Sequence, residues 1–502
     1  MTTTAAHRSV ARTYPLIGLL LLLAAAFVRL WQISTRPGFE WDEPVYEVIG
    51  RNEAAHGLLQ TKTEVVASPE PYLYHPPFYY KLLGWWFELF GAGVTQARVL
   101  AAIGSLLMLV LLWALLRRLI GNWALLAVAL IAFDGWMVFS NRISWIENTM
   151  MPIGVAGLWL YVRALGNPKV LNFALAGFLL GATAVYKHLG IYFLGAAVIH
   201  WIVIRREGRG HAVLLAVAVS VIVSYIGSMF LVFGDVYERE SGVQVLRSLG
   251  QELSRGSIDS LGDLFGPLMA QYKIFVSTLV LAAIGGGLLI YRTVLIIRHR
   301  AEIRRLGADY GQTVLYSWAV AGVLLLAVSQ IKLPQYFLMV IVPLYCFIVS
   351  EVRTFVAQSV AKQNRNQFGY ATRPHIVVGA LAAVLMLAGL GASAQRMYGY
   401  RDRALQDVAT WTAQPANMPT DAIVITEESV GTTIKQPYCK LWRGDTCAGA
   451  THIITYTSHT QKPSTENRLM DLVATATEVY RASGYKETLV VYRLPRPVRS
   501  TQ

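Results

Sequence analysis

The chain has 502 residues, 55% hydrophobic and only 15% charged, with a formal net charge of +14. An ordinary soluble domain carries about a quarter of its residues as charges. That class is therefore excluded, and a membrane protein is indicated. In a soluble chain such a basic balance would suggest a polyanion partner, but here the basic residues fall in the connections between apolar runs, so no nucleic-acid partner is implied.

From the N-terminus, YPLIGLLLLLAAAFVRLWQI at 14–33 has about the 20 residues that cross roughly 30 Å of hydrocarbon as a helix. His7, Arg8 and Arg12 precede it as in a secretory signal. The run nevertheless continues through Arg29 and Trp31 without a small-residue cleavage site, which predicts a retained anchor. Ten further spans are predicted, near 97–116, 121–140, 148–165, 171–188, 189–204, 211–233, 273–297, 312–329, 335–350 and 375–394. PPFYYKLLGWWFELFG at 76–91 is apolar enough to dip into the membrane surface, so the expected count is 11 to 13. Alternate connections carry Arg117 and Arg118, then Arg163 and Lys169, Arg205, Arg206 and Arg209, Arg298, Arg300, Arg304 and Arg305, and finally Arg353, Lys362, Arg365 and Arg373. By the positive-inside rule that side, with the N-terminus, is cytoplasmic. An odd span count then leaves the C-terminus outside a cytoplasmic (plasma) membrane.

Two outer loops are long, 34–96 and 234–272; in the second, apolar residues at helical spacing suggest helices lying on the surface. Together with the spans they make up an expected transmembrane domain over 1–394. Residues 395–502 turn soluble in character: DAIVITEE, HIITYT and TLVVYRL read as strands and ENRLMDLVATATEVYRASG as a helix. The expected fold class is an α-helical polytopic membrane protein with a small extracytoplasmic α/β domain. Cys439 and Cys447 flank a short polar loop on the predicted outer face, where a disulfide would persist. Cys346 sits in an apolar span as a small buried residue.

The candidate chemistry begins in the first loop, in WDEPVYEVIGRNEAAHGLLQ. Pro44 can start a helix, on which Glu47 and Arg51 form an ordinary pair four residues apart. Asp42 suits a helix cap. With Glu43 and Trp41 beside it at a membrane boundary, the same acidic pair also suits an acid or base tuned by repulsion and desolvation. In FSNRISWIENTMMP at 139–152, Glu147 starts a span, where a carboxylate is favoured by the helix dipole. Ionisable groups at such depth are nonetheless functional candidates, with Arg142 the obvious partner. Lys187 and His188 lie where two spans meet outside, and SQIKLPQYFLMVIVPL supplies Lys332, Gln335 and Tyr336. Both lysines also fit simple snorkelling to the interface. A transporter or lipid flippase is the competing reading, but it would predict interrupted spans in related halves, and no internal repeat is visible.

Taken in order, the acidic pair, the aromatic YLYHPPFYY, the FG with Gln96-Ala97-Arg98 after it, RISWIENTMMPIGVAGLWLY, GATAVYKHLG and KLPQYFLMVIVPL resemble the GT-C class of membrane glycosyltransferases. The branch is that of the dolichyl-phosphate-mannose protein mannosyltransferases and aminoarabinose lipid A transferases (glycosyltransferase family 39-like). The resemblance extends to about residue 350. It implies transfer of a sugar, with inversion, from a polyprenyl-phosphate donor to a protein, lipid or glycan acceptor on the outer face. It also implies Asp42 as the base, with Glu43 and Glu147 as the accompanying catalytic acids. Donor-phosphate contacts are expected from His75, Lys187, Lys332, Tyr336 and Arg142. Lipid A transferases carry a lysine where this chain has His75, which argues against aminoarabinose and for an ordinary hexose or pentose. The branch is metal-independent, so no cofactor is expected and a divalent metal is not favoured.

Overall fold

The structure is a computed structural model describing residues 3–37, 42–60, 71–204, 208–248, 276–298, 310–328, 334–366, 374–395, 397, 404–426, 428–431, 433–440, 449–457, 472–483 and 488–498. Helices dominate. The expected anchor is α1 (Thr3–Leu30), and the long loop after it supplies α2 (Glu43–His56) and α3 (Phe78–Phe90). Next come α4 (Val94–Ile120), α5 (Ala124–Phe133) and the six-residue α6 (Gly135–Ser140). The helices α7 (Ile146–Gly166), α8 (Val170–Tyr186), α9 (Ile191–Ile204), α10 (Arg209–Phe233) and α11 (Asp235–Ser248) follow. The last of the predominantly apolar set are α12 (Val276–Arg298), α13 (Tyr310–Val328), α14 (Leu338–Asn366) and α15 (Pro374–Ala394).

Among the described residues, five segments are long and apolar enough to cross a membrane: Val94–Phe133, Arg209–Phe233, Val276–Arg298, Gln335–Ser359 and Val377–Ala394. Tyr14–Leu30, Val170–Tyr186, His188–Ile204 and Gly311–Ala327 are shorter apolar helices. Leu16, Leu20, Leu23 and Phe27 of α1, and Leu231 and Val232 of α10, expose their apolar side chains, as lipid-facing surfaces do.

The chain divides into two compact units. One comprises Met1–Trp31, Tyr74–Pro76 and Ala101–Ala394; the other comprises Gln32–Leu73, Pro77–Leu100 and Gln395–Gln502. In the second unit α2 and α3 belong with α16 (Ala404–Thr412), β1 (Ile423–Thr426), α17 (Glu428–Gly431), β2 (Tyr438–Lys440), β3 (Ala450–Tyr456), β4 (Thr477–Ser483) and β5 (Thr488–Arg493). The sheet runs β2-β1-β3-β5-β4. β1 is parallel to β2 and β3, whereas β5 is antiparallel to β3 and β4. Val408, Val424, Ile454, Leu489 and Val491 fill one face, and Ile425, Cys439, Ala450, Ile453 and Leu494 the other. α17 packs on α2, so the sheet domain meets the first-loop helix directly.

The strands expected at 421–428, 452–457 and 488–494 are present. The helix expected over 466–484 is not sustained, because Leu472–Thr475 is helical but Thr477–Ser483 pairs with β5. Thr477, Val479 and Tyr480 suit a pleated surface, and pairing to β5 overrides the helical spacing. Cys439 is disulfide-bonded and Cys346 is a free buried thiol. Cys447, the expected partner, lies outside the described residues.

Candidate active site

In the second unit, Glu43 begins α2 with Pro44 in its first turn. Asp42 takes the N-cap position at φ −85, ψ −18, and its side chain makes no capping hydrogen bond. It is half-buried, whereas Glu43 is fully buried. Arg98 Nε donates to Glu43 Oε1 at 2.8 Å and Nη2 donates to Oε2 at 2.6 Å. The remaining nitrogen, Nη1, donates to the carbonyls of Pro37 at 2.8 Å and Ile33 at 3.2 Å. The negative charge of Glu43 is thus balanced by a planar fork that suits a carboxylate. This differs from the expectation of two carboxylates left to repel each other. Trp41 lies outside the described residues.

The pair expected on α2, Glu47 with Arg51, is formed. Tyr46 of α2 meets Tyr79 and Tyr80 of α3 edge-on, with ring centroids 5.6 and 5.8 Å apart. Each such contact adds about 0.5–1.5 kcal/mol beyond area burial. The aromatic stretch after His75 therefore serves to hold α3 against the helix that Asp42 opens.

In the first unit, Glu147 is in the first turn of α7 and buried. Its partner is Lys187, whose Nζ donates to Oε1 at 2.6 Å. Lys187 follows α8 with an extended backbone, φ −153 and ψ 131, which turns it out of the helix. The same ammonium lies 5.6 Å from the ring centroid of Tyr336, within cation–π range. His75 is buried too. Burial, the Lys187 ammonium and His188, in that order, hold its imidazole well below the ordinary histidine range, so it is neutral near pH 7. Lys187 thereby stands between Glu147 and the Tyr336 ring, and His75 lies within electrostatic reach of Lys187. Lys332 lies outside the described residues.

Arg142, the partner expected for Glu147, is used otherwise. Its guanidinium donates to the carbonyls of Val28 at 2.6 Å, Arg29 at 3.1 Å and Trp31 at 2.5 Å. These belong to the end of α1, where carbonyls lack in-helix donors. Neighbouring amides complete the turn: Asn141 Nδ2 donates to Asn148 Oδ1 at 2.7 Å, and Asn148 Nδ2 donates to the carbonyls of Ser140 at 2.9 Å and Ile143 at 2.8 Å. Gly104 admits this turn to α4, since a Cβ there would lie 2.6 Å from the Asn148 carbonyl oxygen. The sequence reading missed these asparagines and the buried Asp134; the only signal for the latter is a single carboxylate inside the apolar run 121–140. Among the described residues, no cluster of three or more His, Cys, Asp or Glu gathers as metal ligands do.

Residues 74–230, less than half of the chain, match the family model of dolichyl-phosphate-mannose-protein mannosyltransferase. No curated protein matches the chain by sequence. Among solved structures, ArnT from Cupriavidus metallidurans bound to undecaprenyl phosphate is similar, with 14% identity, a TM-score of 0.62, and coverage of 96% of this chain and 99% of that one. The same enzyme in its apo state gives 14% identity, a TM-score of 0.56, and coverage of 99% and 100%. The Archaeoglobus fulgidus oligosaccharyltransferase in complex with Zn and sulfate gives 12% identity, a TM-score of 0.54, and coverage of 88% and 68%. The likeness is one of fold, and the fold is that of the GT-C glycosyltransferases.

Proposed function

We propose that this chain is a membrane glycosyltransferase that moves a sugar, with inversion, from a polyprenyl-phosphate donor to a protein, lipid or glycan acceptor on the outer face of the cytoplasmic membrane. The observation that carries this reading is the likeness of fold, over nearly the full length of both chains, to an enzyme whose structure holds undecaprenyl phosphate. Asp42 takes the proton of the acceptor hydroxyl while that oxygen bonds to the anomeric carbon. The bond from that carbon to the phosphate oxygen breaks, and the polyprenyl phosphate leaves with the electron pair. Lys187 offsets the charge on the leaving phosphate, with Lys332 as a second cation and His75 and Tyr336 as neutral donors. Glu147 keeps the Lys187 ammonium in place until the phosphate arrives, and Glu43 fixes the start of α2. Arg142 holds the turn before α7. A neutral His75 in the place where lipid A transferases carry a lysine leaves the sugar class open to a hexose or pentose. No metal is required in this scheme, and residues 395–502 stand on the outer side.

Asp42→Asn keeps the shape and removes the base. The purified variant, assayed with a polyprenyl-phosphate sugar, should lose about a hundredfold to ten-thousandfold in turnover. Activity within about threefold of the parent would remove Asp42 from the role. For topology, alkaline phosphatase fused after residue 400 should be active and a fusion near 365 inactive; the reverse pattern would invert the assignment.

A further inference from the structure

Asp134 stands where α5 stops and α6 starts, with an extended backbone at φ −62, ψ 135. Two helix ends meet there inside the protein, so amides and carbonyls are left without in-helix partners. Asp134 Oδ1 accepts from the Met137 amide at 3.0 Å. Oδ2 accepts from the Thr278 hydroxyl of α12 at 2.6 Å and the Tyr345 hydroxyl of α14 at 2.8 Å. Before the break, the Ala132 carbonyl accepts from Arg29 Nη1 of α1 at 2.9 Å. α15 also closes in, because a Cβ on Gly389 would lie 2.9 Å from both the Gly135 nitrogen and the Phe133 carbonyl oxygen. Four separate helices therefore bear on one interruption.

The far end of α6 is held as well. Arg29 Nε and Nη2 donate to Asn141 Oδ1 at 3.2 and 2.9 Å. One guanidinium thus grips the chain before α6 and again after it. Asn141 passes this constraint to Asn148, the residue after Glu147. Burying a carboxylate with two hydroxyls is a poor way to add stability, since apolar packing does as well. A fully satisfied polar network instead specifies one arrangement.

We propose that Asp134 is a positioning residue for the Glu147–Lys187 pair, acting through α6 and the turn that carries Glu147. The inference rests on the donor-phosphate reading of Lys187. Asp134→Asn keeps an acceptor for the Met137 amide but replaces the oxygen that takes both hydroxyls; Tyr345→Phe is the milder variant should the first fail to fold. With the full chain in detergent and undecaprenyl phosphate as the probe, folded variants should bind about five- to tenfold more weakly, and the loss should vanish in a Lys187→Gln background. A lowered melting temperature with undiminished affinity, or a loss that persists additively in Lys187→Gln, would overturn the proposal. If the parent protein does not bind the lipid, the donor reading fails by itself. Amine-reagent labelling of Lys187 then decides the matter without lipid: faster labelling in the variants supports positioning, and an unchanged rate overturns it.

Discussion

Each compact unit contains a buried carboxylate–cation pair with a closest contact of 2.6 Å, Glu43 with Arg98 and Glu147 with Lys187. They differ in how fully the cation is used. Arg98 engages both oxygens of Glu43 and spends its third nitrogen on the Ile33 and Pro37 carbonyls. Among the described residues Lys187 donates to Glu147 and otherwise faces the Tyr336 ring, although an ammonium has three donors. Buried ion pairs roughly break even in stability, so neither is explained by strength alone. A saturated pair fixes backbone, whereas a pair with donors to spare can exchange its partner for a phosphate.

The largest effect expected within this comparison comes from Arg98→Ala. It strands a buried carboxylate and should cost about 3–5 kcal/mol, read from unfolding in detergent. Adding Glu43→Gln should return part of that loss; unchanged melting in the single variant would end the structural reading of this pair. Lys187→Gln comes next. Its amide still bonds Glu147 but leaves that buried charge uncompensated, so melting should fall by less than in Arg98→Ala, while donor affinity or turnover falls about tenfold to a hundredfold, the equivalent of roughly 1.5–3 kcal/mol of charge-assisted bonding. If melting falls and donor kinetics do not, the two pairs are of one kind.

The smallest effect is in the pH response of His75. Its folded-state affinity for a proton is depressed, so the unfolded chain binds the proton more tightly. The stability held above the ordinary histidine value of about 6.5 is therefore lost as pH falls below it. His75→Gln should flatten the melting profile between about pH 7 and 5, and an unaltered slope would show that other groups set it.

Much of the fold is legible in the sequence, because apolar runs and the basic connections between them are local signals. So are Glu147 at a helix start and the Glu47–Arg51 pair. The partners of the buried acids are not legible in this way. Glu43 finds a cation 55 residues away and Glu147 one 40 residues away, and nearness in sequence favours Arg142, which the end of α1 claims. β4 is misread for a related reason, since its strand partner lies outside its own window. Asp134 is hidden by its surroundings: one acid in an apolar run reads as a tolerated exception until its hydroxyl partners on two later helices are seen.

Arg29 also bears on the order in which the molecule can be made. Its charge lies in α1, yet Asn141 is 112 residues further along and Ala132 is 103. Until those residues are synthesised, the guanidinium must reach toward the interface from near the end of α1. α1 is therefore made before its polar partners exist and settles only after the third stretch of apolar chain has joined it. A nascent chain stalled before residue 141 should keep Arg29 open to water, and release past residue 148 should close it.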